Sequence, residues 1–223
     1  MFVIKERGPK SPRKLIKMLK EVEPATVGHF KHCGFIDPSI RPVLNDVKVV
    51  GPAVTVRTPG ADSTIVHKVM ELVEPGDVIV IDRCGDSIHA CWGGMVTLAA
   101  HLKGVAGAIV DGPATDINEI IEIGFPLYSK GVTAITTKFL GIGGESNTVI
   151  HCGGVAVHPG DLIVADTNGI VVIRPDEAQK VAEKAMAMQE GEKPQIEKLK
   201  RGQSLPDITG ANAIIAKKMN ESS

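Results

Sequence analysis

The sequence predicts a mixed α/β domain built on a parallel or mixed sheet, and two patterns carry that prediction. Apolar runs of strand length alternate with segments of helical spacing through the middle of the chain, and the last third changes to short strands and turns. Size sets the scale: 223 residues with 43% hydrophobic content suffice for one substantial core, so a single domain over 1–223 is expected.

Taken in order, SPRKLIKMLKEV opens with Ser11 at an N-cap position and Pro12 at the first helical position, and it places Leu15, Ile16, Leu19 and Val22 on one face. An amphipathic helix follows from that spacing. The next stretch, around Gly34 and its neighbouring prolines, reads as a short helix and an ordered loop. VKVVGPAVTVRT then gives one or two β segments around Gly51 and Pro52, and DVIVID at 77–82 is a buried-strand signal. Between them, Ile65, Val69, Leu72 and Val73 recur with helical spacing until Pro75 and Gly76 stop the pattern. GGMVTLAAHLKG feeds GAIVDG as a second such unit, and TDINEIIEIG leads into PLYSKG as a third. Beyond these, GGVAVHPGDLIVADTNGIVVIRP reads as a β meander turning at Pro159-Gly160 and Asn168-Gly169. A helical extension runs from Asp176, and the KMNESS tail is expected to fray.

Several function classes are disfavoured by composition. A formal net charge of −1 with dispersed Lys and Arg offers no footprint for a phosphate backbone, so no nucleic-acid partner is expected. No apolar run approaches the roughly 20 residues that span a bilayer and no leader pattern opens the chain, so the expected location is cytoplasmic, with no membrane partner. Cys33, Cys84, Cys91 and Cys152 form no CxxC pair; they are expected as free thiols, with Cys91 an inert core residue rather than a nucleophile.

Chemistry in an α/β fold collects where strands end, and three loops carry the unusual residues. DRCGDSIHACWGG contains Arg83, His89 and the single tryptophan, Trp92, which is expected to anchor the loop by packing. Its Gly93 and Gly94 open a helix, where bare backbone N–H groups can approach an anion. In VDGPATDINE, Asp116 and Glu119 stand three apart ahead of Ile120 and Ile121. That spacing fits a capping box. It also fits hard oxygen ligands for Mg²⁺ or Mn²⁺, and the two roles are compatible. The third loop, 133–147, is glycine-rich and expected to be mobile; it holds Lys138, a solvated lysine or an anion contact.

IDPSIRPV, VVGPAVTVRT, EPGDVIVID, ACWGGMVTLAAHLKGVAGAIVDGPATDINEI, GFPLYSKGVT and GGVAVHPGDLIVADTNGIVVI together resemble the RraA-like family, which includes class II 4-hydroxy-4-methyl-2-oxoglutarate/4-carboxy-4-hydroxy-2-oxoadipate aldolases. The resemblance covers a core of about 25–184. It implies a swivelling β/β/α-type domain that assembles as a homotrimer or a dimer of trimers, with sites near subunit interfaces. It also implies a divalent cation, usually Mg²⁺ with Mn²⁺ as the alternative, that orients a 2-oxo acid for carbon–carbon cleavage through a metal-stabilised enolate. The family's metal aspartate falls on Asp116 and the following acid on Glu119. The amides that hold a substrate carboxylate fall on Gly93, Gly94, Met95 and Val96.

Two positions depart from that pattern. The acid usual after the Trp-Gly pair is Gly94 here, and the substrate-binding arginine before the metal aspartate is Thr115. A hydroxyl does not replace a bidentate guanidinium. Arg83, His89 and Lys138 are the local candidates for a substitute cation, His89 also for proton transfer. The expected function is therefore a metal-dependent lyase, an aldolase or decarboxylase, acting on a small 2-oxo or hydroxy carboxylic acid. A non-catalytic regulator of ribonuclease activity and a metal-assisted enolisation or hydration on the same scaffold are the alternatives.

Overall fold

The computed structural model describes residues 1–8 and 10–221. Four parallel strands form the centre: β3 (Val49–Arg57), β4 (Val78–Asp82), β5 (Gly107–Val110) and β6 (Leu127–Ser129). The helices α3 (Thr64–Val69), α4 (Gly94–Leu102) and α5 (Ile117–Ile123) make the crossovers that parallel pairing requires. The three repeated units read from the sequence are thus present in order.

Period-two alternation assigns the two faces of this sheet. Val54, Val56, Ile79, Ile81, Ala108 and Val110 pack towards α3, α4 and α5. Ala53, Val78, Val80, Ile109 and Tyr128 pack the other way, against a second β layer. That layer is made by β8 (Ile150–Cys152) with β9 (Val155–Val157), a separate hairpin, and β10 (Leu162–Asp166) with β11 (Gly169–Ile173). The expected meander is therefore two hairpins, of which β10–β11 joins the main sheet through β3. Helices α1 (Arg13–Lys20), α2 (Pro24–Gly28) and α6 (Ala178–Lys200) cover its outer face, packing Leu19, Val27, Val181 and Ala185 onto Leu162, Val164, Val171 and Ile173. The result is a β/β/α-type arrangement with an extra helical layer.

Three local expectations are corrected. Ser11 does not cap α1, whose N-cap is Pro12 and has no side-chain hydrogen bond among the described residues. Of the one or two segments expected around Gly51 and Pro52 there is one, since β3 is long enough to pair β10 with its first half and β7 (Gly144–Ser146) with its second. Loop 133–147 is tied down: Asp62 accepts the Leu140 N–H (3.2 Å) and the Ile142 N–H (2.7 Å), and β7 also pairs with β1 (Phe2–Ile4). Finally, α7 (Leu205–Thr209) leads into α8 (Ala211–Glu221), so the tail is helical as far as Glu221; Ser222 and Ser223 lie outside the described residues. No helix among the described residues is long and apolar enough to cross a membrane.

Candidate active site

β4 and β5 are neighbours, so the loops leaving their C-terminal ends converge, and they deliver the starts of α4 and α5 side by side. Trp92 fixes the first loop from below. It is fully buried, stacks on Phe125 at 5.8 Å, and its indole N–H donates to Thr97 Oγ1 at 2.8 Å. The second loop is zipped to the first by the Thr115 N–H, which donates to the Trp92 carbonyl at 3.0 Å.

Asp116 sits at this junction with φ 55° and ψ 42°, in the left-handed region that, glycine aside, Asp and Asn enter most readily. Its carboxylate does not cap α5. Instead Oδ2 accepts the Gly94 N–H at 2.9 Å, capping the neighbouring helix α4, and Oδ1 accepts the Thr115 hydroxyl at 3.2 Å. Nor does Glu119 reach back in a capping box among the described hydrogen bonds. Its Oε2 lies only 1.8 Å from where a Cβ on Gly94 would stand, and Asp116 Oδ2 lies 2.5 Å from the equivalent point on Gly93. Both acids thus lie against one glycine step, without a cationic partner among the described residues.

The other residues expected here have different surroundings. Arg83 is fully buried and not available to a substrate; its guanidinium donates to the carbonyls of Gly60 (2.6 Å), His89 (3.1 Å) and Thr58 (3.4 Å), holding the loop closed from inside. Gly112 leaves room for it, since a Cβ there would lie 2.8 Å from Arg83 Cγ. His89 pairs through Nδ1 with Asp86 Oδ2 at 2.8 Å. Burial pushes the Asp86 carboxyl pKa up, but the N–H groups of His89 and Ile88, the imidazole and Arg83 outweigh it and hold it at about 2. Lys138 is exposed, and its backbone is bonded to Ala61 and Ser63 rather than to the acid pair. Met95 is exposed and Val96 buried in the first turn of α4. Cys91 behaves as expected: it is buried, and burial pushes its thiol up to about 11.

Sequence reasoning missed the neighbouring loop after β6. The Ala114 N–H donates to the Gly131 carbonyl at 2.9 Å, which brings that loop alongside 112–114. Lys130 there pairs with Asp111 Oδ1 at 2.5 Å, while Asp111 Oδ2 accepts the Gly153 N–H at 2.8 Å. Arg41, in β2 (Arg41–Pro42), joins Lys130 and Ile117 in lining a cavity of about 300 Å³. The available signal was SKG directly after an apolar strand, the position where the other two loops also carry charged residues.

The model for RraA-like proteins, Aldolase/RraA, matches residues 24–172 of this chain. The chain belongs to the RraA-like family. Among its relatives, a protein of Halalkalibacterium halodurans named "Putative 4-hydroxy-4-methyl-2-oxoglutarate aldolase" is 42% identical over 151 residues, 68% of this chain and 71% of that protein. Among solved structures, Streptomyces coelicolor RraAS2, described as an unusual member of the RNase ES inhibitor RraA protein family, superposes with a TM-score of 0.73 at 28% identity, covering 86% of this chain and 98% of that one. A Pseudomonas syringae protein shares the fold with a TM-score of 0.77 at 24% identity, over 91% of this chain and 100% of that one.

The two positions singled out in the sequence, 94 and 115, have clear surroundings. Gly94 carries no side chain, and the space is filled by the Glu119 carboxylate from the adjacent helix. Thr115 presents a hydroxyl that donates to Asp116 and no positive charge.

Proposed function

We propose that the chain is a divalent-metal-dependent lyase acting on a small 2-oxo or hydroxy carboxylic acid. The observation that carries this reading is the placement of two acids: the carboxylates of Asp116 and Glu119 both lie against the Gly93–Gly94 step at the open end of α4. Two carboxylates and no third His, Cys, Asp or Glu grouped with them among the described residues suit a cation that keeps several waters, as Mg²⁺ does, better than a closed zinc site. Asp116 and Glu119 would hold it, and it would supply Lewis acidity at a 2-oxo group.

The chain's own groups do the rest. Asp116 is oriented by the Gly94 N–H and the Thr115 hydroxyl, which leaves lone pairs of both oxygens for a ligand. The next amides of α4, at Met95 and Val96, stand at a helix N-terminus and favour a substrate carboxylate. His89, held by Asp86, is the candidate for proton transfer, and Lys130 and Arg41 join Lys138 as candidates for the charge that Thr115 lacks. The test is release of product from 4-hydroxy-2-oxo acids with Mg²⁺ or Mn²⁺. Turnover should need the cation and fall by at least about 100-fold in Asp116→Ala. Equal activity in both proteins, or none with any such substrate, overturns the reading.

Assembly as a trimer or dimer of trimers is part of the same proposal. Met95, Leu98 and Leu102 form an exposed apolar stripe on α4, whose first turn is the site, and Ile121 extends it on α5. Such a stripe on a helix supports burial against a second copy. A second reading, regulation of a ribonuclease, is supported by the likeness to RraAS2. Capture of a ribonuclease by a chain that binds neither Mg²⁺ nor Mn²⁺ in calorimetry would favour it.

A further inference from the structure

The end of the sheet remote from Asp116 carries a second cavity, of about 530 Å³. Its floor is the N-terminal edge of the parallel strands: Val50 and Pro52 of β3, the 76–77 turn entering β4, and Ala106 before β5. Its roof is made by Arg7, Lys10 and Ser11, ahead of α1, and by the flank of that helix.

Five cationic side chains line it, Arg7, Lys10, Arg13, Lys20 and Lys48, against two carboxylates, Glu74 and Asp77. The carboxylates are already used. Glu74 takes Arg7 Nη1 at 2.6 Å and also Lys10, while Asp77 takes Arg7 Nη2 and the Glu74 N–H. Arg13, Lys20 and Lys48 have no carboxylate hydrogen-bond or ion-pair partner among the described residues, although Lys48 feels Asp166, Glu23 and Glu21 at longer range and donates to the Val22 carbonyl. Three positive charges therefore remain unmatched around one concavity, in a chain whose net charge is −1.

One further feature points to an anion. The eight-residue helix α1 starts at the rim, where Ser11 and Arg13 both line the cavity; it has no acid in its first turn, and among the described residues no side chain caps it or answers the positive end of its dipole. Beside these donors, Ile16, Val50, Pro52 and Ala106 offer apolar wall. A cavity of this size takes a ligand of nucleotide dimensions.

We propose that this cavity binds a small polyphosphate-bearing anion, at a site separate from the Asp116 junction. The shared chemistry is a chain of phosphate groups set against Arg13, Lys20, Lys48 and the α1 N-terminus. A nucleoside triphosphate and a free inorganic polyphosphate are its two sources.

Calorimetry on the full chain in EDTA, with ATP and with inorganic tripolyphosphate as probes, tests this. Saturable binding that weakens with salt is expected, reduced at least about tenfold in the double variant Arg13→Glu/Lys20→Glu, whose exposed side chains leave the core untouched. Asp116→Ala should bind like wild type. Tighter binding of ATP assigns a nucleotide and equal binding assigns the phosphate chain, and both uphold the site. No saturable binding of either probe, binding undiminished in the double variant, or loss in Asp116→Ala overturns it.

Discussion

At Gly94 the space that a side chain would take is held by the far end of a glutamate from another helix. A Cβ there would stand 1.8 Å from Glu119 Oε2, so Gly94→Ala has to swing that exposed carboxylate aside. A flexible exposed side chain yields cheaply, so we expect Gly94→Ala to change stability in urea unfolding by less than about 0.5 kcal/mol, while Mg²⁺ binding in calorimetry weakens because Glu119 is one of the two proposed ligands. A loss of about 2 kcal/mol or more would show the carboxylate to be fixed in place. Asp116 makes the complementary point. Spacing had placed it correctly at a helix start, yet its left-handed backbone and its bond to α4 were invisible, because both arise from a neighbour that follows a different strand.

Between the elements, buried charge organises the loops. Arg83 satisfies three carbonyls from two segments, and its replacement by methionine would leave them without a donor. Arg83→Met should cost about 3 kcal/mol or more in denaturant midpoint analysis, with loss of any metal-dependent activity following from loop disorder. The sequence marked Arg83 as unusual but could not tell a substrate contact from a brace, since that depends on whether the side chain points out of the loop or into it.

Asp62 and Asp86 act in the same way on loops 133–147 and 83–93. In both, burial raises the pKa and hydrogen-bond donors outweigh it, holding the carboxyl at about 2, below its ordinary 3.8. A depressed folded-state pKa contributes stability that is complete above the unfolded value and lost as pH falls through the folded one. Urea midpoints should therefore drop steeply from about pH 4 to about pH 2, and less steeply in Asp62→Asn. Parallel pH dependences in the two proteins would sink this assignment.

At the scale of the whole molecule, burial of α6 ends at Ala185, and α7 and α8 contain no buried residue. Deleting the chain from Arg201 onward should leave the unfolding free energy of the core, from urea denaturation, within about 0.5 kcal/mol of the full chain. A large destabilisation would mean that these helices are covered by something in solution. The apolar stripe of α4 makes the opposite prediction for Leu98→Glu, which should shift sedimentation from an oligomer towards a monomer while the monomer stays folded.

What the amino-acid order determined by itself was the alternation of strand and helix, the faces of each strand and the loops that carry charge. These follow from periodicities of two and 3.6 residues, which are local properties of the chain. Tertiary structure decided which of those loops meet. It turned Asp116 and Glu119 from a capping box into a pair of acids facing the start of α4, removed Arg83 from reach, and gathered basic residues from ahead of α1, from α1 and from the entry to β3 into one cavity. The physical reason is common to all three: the direction of a side chain out of a loop, and the neighbour that satisfies it, depend on elements distant in sequence.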